Sequence, residues 1–286
     1  MPFEIHPWTW TGDAPFLGYQ GVNPLDDQVQ NVFLGKDANF PNDQILNDAN
    51  DGSRALLSLY LTNPFGFFIN INNQGVHHPF QHPAWNIADH DGRTYHRNFN
   101  KLLRGLVGAP PMGNMTPEQS QMVSFWAQRI SFLELLRFPT IDNSGNDPLF
   151  RDFVCGTNRQ PQRNRERDGA FQHRTAMNEL ADQCGYTQQL QLQQLDVINK
   201  VLCTPQKRVF VFKGFGGLWS SFSDTQREWI NVSAPQLADL GNCFGLPRAV
   251  GAPMPEAIQA EVFVHTHFSD AISNAEIQGI AEIVAG

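Results

Sequence analysis

The 286-residue chain carries 20 Lys plus Arg against 28 Asp plus Glu, a formal net charge of −8. A chain this long buries most of its unfolded apolar surface without a disulfide or metal staple, and 41% hydrophobic with 17% charged residues excludes a disordered polyampholyte. The acidic balance also argues against a general nucleic-acid binder, because non-specific DNA affinity comes from Lys and Arg displacing counterions.

The opening segment, MPFEIHPWTWTGDAPF, has no basic start, apolar core or small-residue cleavage site, so no secretory signal is expected. No run of about 18 apolar residues occurs, so no membrane span is expected and the expected location is the cytoplasm. Residues 28–34 (QVQNVFL) form a short apolar run ending at Gly35, which predicts a buried strand and a sharp turn. Residues 52–61 have helical apolar spacing and stop before Asn63-Pro64. Residues 63–95, rich in Asn, His, Pro and Phe, read as a long ordered loop over an active face. Thr116-Pro117-Glu118-Gln119 is a helix start, with Thr116 as N-cap, Pro117 at N1 and Gln119 closing a capping box. That helix runs to about residue 128. Residues 130–136 (ISFLELL) then read as a strand.

Residues 142–174 are polar and arginine-rich, an expected insertion. Residues 187–202 predict an amphipathic helix with Leu and Ile on one face. Strands follow at 207–212 (KRVFVF) and 261–264 (EVFV), the latter ending at His265, and a helix over 273–284 closes the chain. Strands separated by helices predict an α/β three-layer sandwich with a mostly parallel central sheet, in one domain over residues 1–286. Cys155, Cys184, Cys203 and Cys243 are scattered without a CxxC pair and read as reduced thiols. Neither a P-loop, a dinucleotide fingerprint nor a G-x-S-x-G elbow is present; Gly214-Phe215-Gly216-Gly217 reads as a close-packed turn.

In open parallel sheets, ligands bind beyond the carboxyl ends of the strands. Two polar clusters fall there: Gly35-Lys36-Asp37-Ala38-Asn39-Phe40 after the first strand, and His265-Thr266-His267-Phe268-Ser269 after the last. A carboxylate facing an imidazole suits hydrolysis, one orienting water and the other supporting the leaving group.

Together the clusters resemble the uracil-DNA glycosylase superfamily. Its first motif has the form strand-G-Q-D-P-Y-H, or G-x-N-P-G in other branches, and its second the form strand-H-P-S-P-L-S. VFLGKDANF matches the first in position, length and Gly–Asp spacing, and VFVHTHFSDAIS matches the second in its strand and His. The likeness spans about residues 28–285 and is topological outside the motifs. It implies a uracil-DNA glycosylase-like fold and a DNA partner, with no cofactor, membrane or obligate protein partner. It also implies catalytic roles for Asp37, positioning the attacking water, and His265, donating to the base oxygen and stabilising the departing anion. Asn39, Phe40, Phe80 and Glu134 would surround the flipped base, with Phe80 stacking on it. Phe268 would be the wedge filling the vacated stack, and Lys36 and His267 would contact DNA.

Three departures bear on the base. Ala38-Asn39 stands where the uracil-specific branch has Pro-Tyr, which leaves room at C5. Phe132-Leu133-Glu134 stands where the family has F-L-N, and ionised Glu only accepts hydrogen bonds, which suits an exocyclic amino group. Thr266 and His267 replace Pro and Ser. These changes favour a C5-substituted cytosine, such as the glucosylated hydroxymethylcytosine of phage DNA that some superfamily members excise in phage defence, over plain uracil.

Residues 151–174 hold six Arg and three acids, and Arg159, Arg163, Arg165 and Arg167 would form a phosphate-contacting arm. Two rival functions remain. One is a metal-dependent hydrolase, using His77, His78, His82, His90, Asp91, His96 and His265-x-His267. The other is a catalytically inert reader of modified DNA.

Overall fold

The computed structural model describes residues 19–21, 23–36, 94–111, 113–127, 129–136, 148–155, 188–245, 254–268 and 271–286. Within them a sheet of five strands is built, in the order β1-β3-β2-β4-β5. The strands are β1 (Tyr19–Gly21), β2 (Asn31–Gly35), β3 (Ile130–Glu134), β4 (Arg208–Phe212) and β5 (Glu261–His265). The four strands β3-β2-β4-β5 are all parallel, and β1 lies antiparallel on the outer side of β3. The fold is therefore α/β with a mostly parallel sheet, and every strand predicted from the sequence forms. Predicted ends at residues 34, 136 and 264 shift by one or two residues. β1, at only three residues, carried no readable alternation.

The described helices are α1 (Thr94–Leu106), α2 (Pro117–Ala127), α3 (Pro148–Val154), α4 (Gln188–Leu202), α5 (Phe215–Ser221), α6 (Asp224–Ser233), α7 (Pro235–Gly245) and α8 (Asn274–Ala285). They cover both faces of the sheet, because strand side chains alternate. Val32, Leu34, Val209 and Val211 pack in a cluster with Leu195, Leu218, Ile230 and Leu237 from α4–α7. Phe33, Phe132 and Phe210 point the other way and pack with Phe99, Val123 and Ile277 from α1, α2 and α8.

Phenylalanines stack across that second face. Phe132, Phe33, Phe210 and Phe263 occupy matching positions on neighbouring strands. Their ring centroids lie 5.1, 4.4 and 5.3 Å apart, with interplanar angles of 18°, 12° and 25°. Phe99 of α1 meets Phe132 edge-on at 4.6 Å. Such aromatic pairs add stabilisation beyond their buried area, about 0.5–1.5 kcal/mol each.

The Thr116 capping box is present in both directions: Gln119 N–H donates to Thr116 Oγ1 at 3.2 Å, and Thr116 N–H donates to Gln119 Oε1 at 3.0 Å. Gly214 to Gly217 form the start of α5 rather than a separate turn. The close packing is real, since a Cβ on Gly216 would collide with the Phe244 carbonyl of α7. Part of the expected insertion at 142–174 is instead core: Phe153, Val154 and Cys155 at the end of α3 are fully buried. That apolar run outweighs the polar composition around it, and Arg151 ties α3 to the Ser221 carbonyl. Burial and the Asp152 charge push the Cys155 thiol up to about 12, so it is an inert core group. The expected helix at 52–61 and loop at 63–95 lie outside the described residues, apart from the last two loop positions, which begin α1. Among the described residues, no helix is long and apolar enough to cross a membrane.

Phe210 is fully buried at the centre of the stacked row. Phe210→Ala should cost about 3–5 kcal/mol in urea unfolding. Val232→Ser, at a position 76% exposed, should change stability by no more than about 0.5 kcal/mol.

Candidate functional site at the carboxyl edge of the sheet

β2 leads to β3 on one side of it, and the chain later returns to β4 on the other. The order therefore reverses between β2 and β4, and the carboxyl ends there form the crevice in which open α/β sheets bind ligands. The parallel register brings Glu134 of β3 level with Gly35 of β2, and His265 of β5 level with Phe212 of β4. Glu134, Gly35 and His265 each follow a stacked phenylalanine by two residues, so strand alternation sends them to the same face.

Both polar side chains lean toward β2. The Glu134 carboxylate lies over Gly35 and occupies the space that a Cβ there would need. The His265 ring is 5.6 Å from the Phe33 ring, edge-on, and 5.1 Å from Phe268. Two strand spacings are about 9.6 Å, so the imidazole has reached inward across β4.

Helix side chains hold these ends in place. As β3 leaves the sheet, Gln194 of α4 donates to the Glu134 carbonyl and Gln191 donates to the Leu135 carbonyl at 2.8 Å. Leu135 N–H donates to Gly35 O at 3.0 Å, and Leu136 N–H to Lys36 O at 2.9 Å. Gly35 and Lys36, the last described residues before Asp37, are thus still paired. On the other side, Lys213 N–H donates to the His265 carbonyl at 2.9 Å. Glu276 of α8 accepts from Thr266 N–H at 2.7 Å and from the Thr266 hydroxyl at 2.9 Å. Lys213 Nζ donates to Thr266 Oγ1 at 2.7 Å and to Glu276 Oε1 at 3.3 Å. Desolvation pushes the Glu276 pKa up, but these hydrogen bonds and the Lys213 charge prevail and leave it below the ordinary carboxylate value.

His265 Nδ1 lies 2.7 Å from the Thr266 carbonyl oxygen. A carbonyl can only accept, so Nδ1 carries the proton. Burial is the main influence on the ring and lowers its pKa from 6.5. The Thr266 carbonyl and the Glu276 charge oppose the shift, and Lys213 adds to it. A neutral ring with its proton on Nδ1 has no N–H left for a base oxygen. The donor role implied by the family resemblance is open to the imidazolium alone.

Of the other expected site residues, Lys36 is half-buried at the start of the loop. The His267 ring packs edge-on at 5.8 Å from Phe212. Phe268 is not at the surface, where a wedge must be. It is buried against Phe33, Phe99 and Phe132, and its carbonyl accepts from Asn98 at 2.9 Å. Three residues beyond the end of β5, the chain turns back into the aromatic core, and Phe268 forms a wall behind His265. Asp37, Asn39, Phe40, Phe80, Arg159, Arg163, Arg165 and Arg167 lie outside the described residues. Among the described residues, no group of three His, Cys, Asp or Glu could hold a metal ion. Sequence reasoning missed Gln191, Gln194, Lys213 and Glu276. The one visible signal was Ser273-x-x-Glu276, a capping-box pattern. Ser273 does accept from Glu276 N–H at 3.1 Å, but the Glu276 carboxylate turns to Thr266.

Comparison with models of known families, with characterised proteins and with solved structures finds no match for this chain.

Gly35→Ala should displace the Glu134 carboxylate, and Glu134→Ala should remove the clash. A double-mutant cycle on unfolding free energy should therefore give a coupling of about 0.5–3 kcal/mol between the two positions. His265 supplies a second test. Its folded pKa is below its unfolded one, so the unfolded chain binds the extra proton. Its contribution to stability is intact above about pH 6.5 and declines as pH falls toward the folded value. His265→Gln should flatten that acid limb in pH-dependent denaturation.

Proposed function

We propose that this chain is a DNA glycosylase of uracil-DNA glycosylase-like fold that hydrolyses the N-glycosidic bond of a flipped base and leaves an abasic site. The observation that carries the proposal is the shared carboxyl edge. Both motif strands, β2 and β5, belong to one parallel sheet, Glu134 and His265 lean toward the end of β2, and the chain leaves that end for Asp37 one residue after Lys36. Asp37 orients the water and offsets the positive charge that develops on the sugar as the bond breaks. His265 and Glu134 contact the departing base, with Asn39, Phe40 and Phe80 completing its surroundings.

The base that fits best is a cytosine substituted at C5. While it is ionised, Glu134 accepts but cannot donate, which suits an amino group and opposes a carbonyl oxygen. Ala38 and Asn39 leave space at C5 for a hydroxymethyl group or its glucosylated form. Excision of such bases would make the protein a defence against phage DNA. The net charge of −8 then implies weak affinity for ordinary DNA, with phosphate contacts confined to the Arg159–Arg167 stretch, Lys36 and His267. No cofactor is required, because water and side chains supply the chemistry.

Oligonucleotides carrying uracil, 5-hydroxymethylcytosine or its glucosylated form, incubated with the protein and then treated with alkali, test this function. Strand scission at the substituted cytosine is expected. Asp37→Ala should still bind and should lose about 10²–10³-fold in rate or more. Release of uracil alone would sink the base assignment, and binding without scission would make the protein a reader. Replacing Arg163, Arg165 and Arg167 with Gln should flatten the plot of log affinity against log salt by about 0.9 for each phosphate no longer neutralised.

A further inference from the structure

Three hydrogen-bonding groups surround the peptide that follows His265. The Glu276 carboxylate takes both the N–H and the hydroxyl of Thr266, at 2.7 and 2.9 Å. Lys213 Nζ donates to the same hydroxyl oxygen at 2.7 Å, and the Lys213 backbone N–H holds the His265 carbonyl at 2.9 Å. The peptide between His265 and Thr266 and the Thr266 side chain are therefore fixed, and the Thr266 carbonyl oxygen lies 2.7 Å from His265 Nδ1. A carbonyl facing Nδ1 forces the proton onto that nitrogen and leaves the Nε2 lone pair bare.

We propose that Glu276, acting through Thr266, is the positioning residue that holds the His265 proton on Nδ1, so that Nε2 meets a base as an acceptor and the site selects bases that offer an amino group. The ligand class rests on the glycosylase function proposed above; the tautomer does not. His265 is then an acceptor leaning toward the end of β2 from one side, and Glu134, while ionised, is a second leaning in from the other. An exocyclic amino group carries two N–H bonds and can satisfy both. Uracil has one ring N–H between two carbonyl oxygens, so it would set an oxygen against an acceptor. Burial also disfavours the imidazolium, the one form that could donate from Nε2 while Nδ1 keeps its proton.

Long-range ¹H–¹⁵N correlation spectra of the full chain at about pH 8, where an unperturbed ring is neutral, read the tautomer without any activity. The wild-type ring should show a protonated Nδ1 and a bare Nε2. Glu276→Ala should move it to a mixture or to the opposite tautomer. Thr266→Val, which keeps the N–H that Glu276 holds, should move it less. A wild-type ring protonated at Nε2, or a Glu276→Ala ring unchanged from wild type, would overturn the inference. In binding titrations, 5-hydroxymethyl-2′-deoxycytidine should be preferred over 2′-deoxyuridine by about tenfold or more, and Glu276→Ala should shrink that ratio. Equal binding of the two nucleosides by the wild type would overturn the selectivity. The expected tautomer without release of any base would end the glycosylase function and leave the positioning intact. Base release by a protein whose His265 is protonated at Nε2 would do the reverse.

Discussion

Four phenylalanines stacked at one level across four parallel strands set the register on which everything at the carboxyl edge depends. Parallel strands need long crossover connections, so no tight turn fixes how far one slides against the next. A slip of one residue would send each strand's side chains to the other face. Here such a slip would drive Phe33 into the cluster built from Val32, Leu34 and Val211, and bring valines under Phe99. The large rings on one face and the smaller aliphatics on the other make the two faces unlike, which opposes that error. Two residues beyond the rings, the same register delivers Glu134, Gly35 and His265 together.

The strands were legible because each is a short apolar run closed by a residue that cannot extend it invisibly. The first run stops at Gly35, the run from residue 130 stops short of Phe138-Pro139 in the sequence, and the last ends at His265 before Thr266-His267. The helix start at Thr116 was legible through its cap, which is local chemistry. Helices α5–α7, by contrast, were not read in advance. Gly214, Gly216, Gly217, Gly241 and Gly245 look like breakers in sequence, yet Gly216 and Gly241 permit α5 and α7 to approach until Trp219 and the Phe244 carbonyl fill the missing side-chain space. That gain is tertiary and leaves no periodic trace. The position of Glu134 was legible from its strand end, but its lean over Gly35 was not, since it depends on the neighbouring strand.

Gln191 and Gln194 illustrate a second kind of blind spot. In a glutamine-rich helix they read as solvated residues, with Leu195 and Ile198 marking the buried stripe. They are nonetheless fully buried, because the ladder stops at Glu134 while the chain remains under cover. The carbonyls of residues 134 and 135 need donors there, and an unsatisfied buried carbonyl costs roughly 1–3 kcal/mol. A carboxamide on the covering helix meets that need without charge. Composition cannot say which of several glutamines this is, because the answer lies in where β3 ends.

The same device recurs on the far side with the charge reversed in role. On β3 a helix amide donates to strand-end carbonyls; on β5 a helix carboxylate accepts from the N–H and hydroxyl of the strand-end residue. Each fixes the peptide beside a site residue rather than the site side chain itself. The backbone directions of Glu134 and His265 are thus set from outside, and with its proton on Nδ1 His265 is an acceptor at Nε2. Under the function proposed above, such an edge suits a ligand that brings hydrogen-bond donors to it. That polarity follows from peptides anchored to α4 and α8, so it would persist through sequence changes around Asp37 and Phe80.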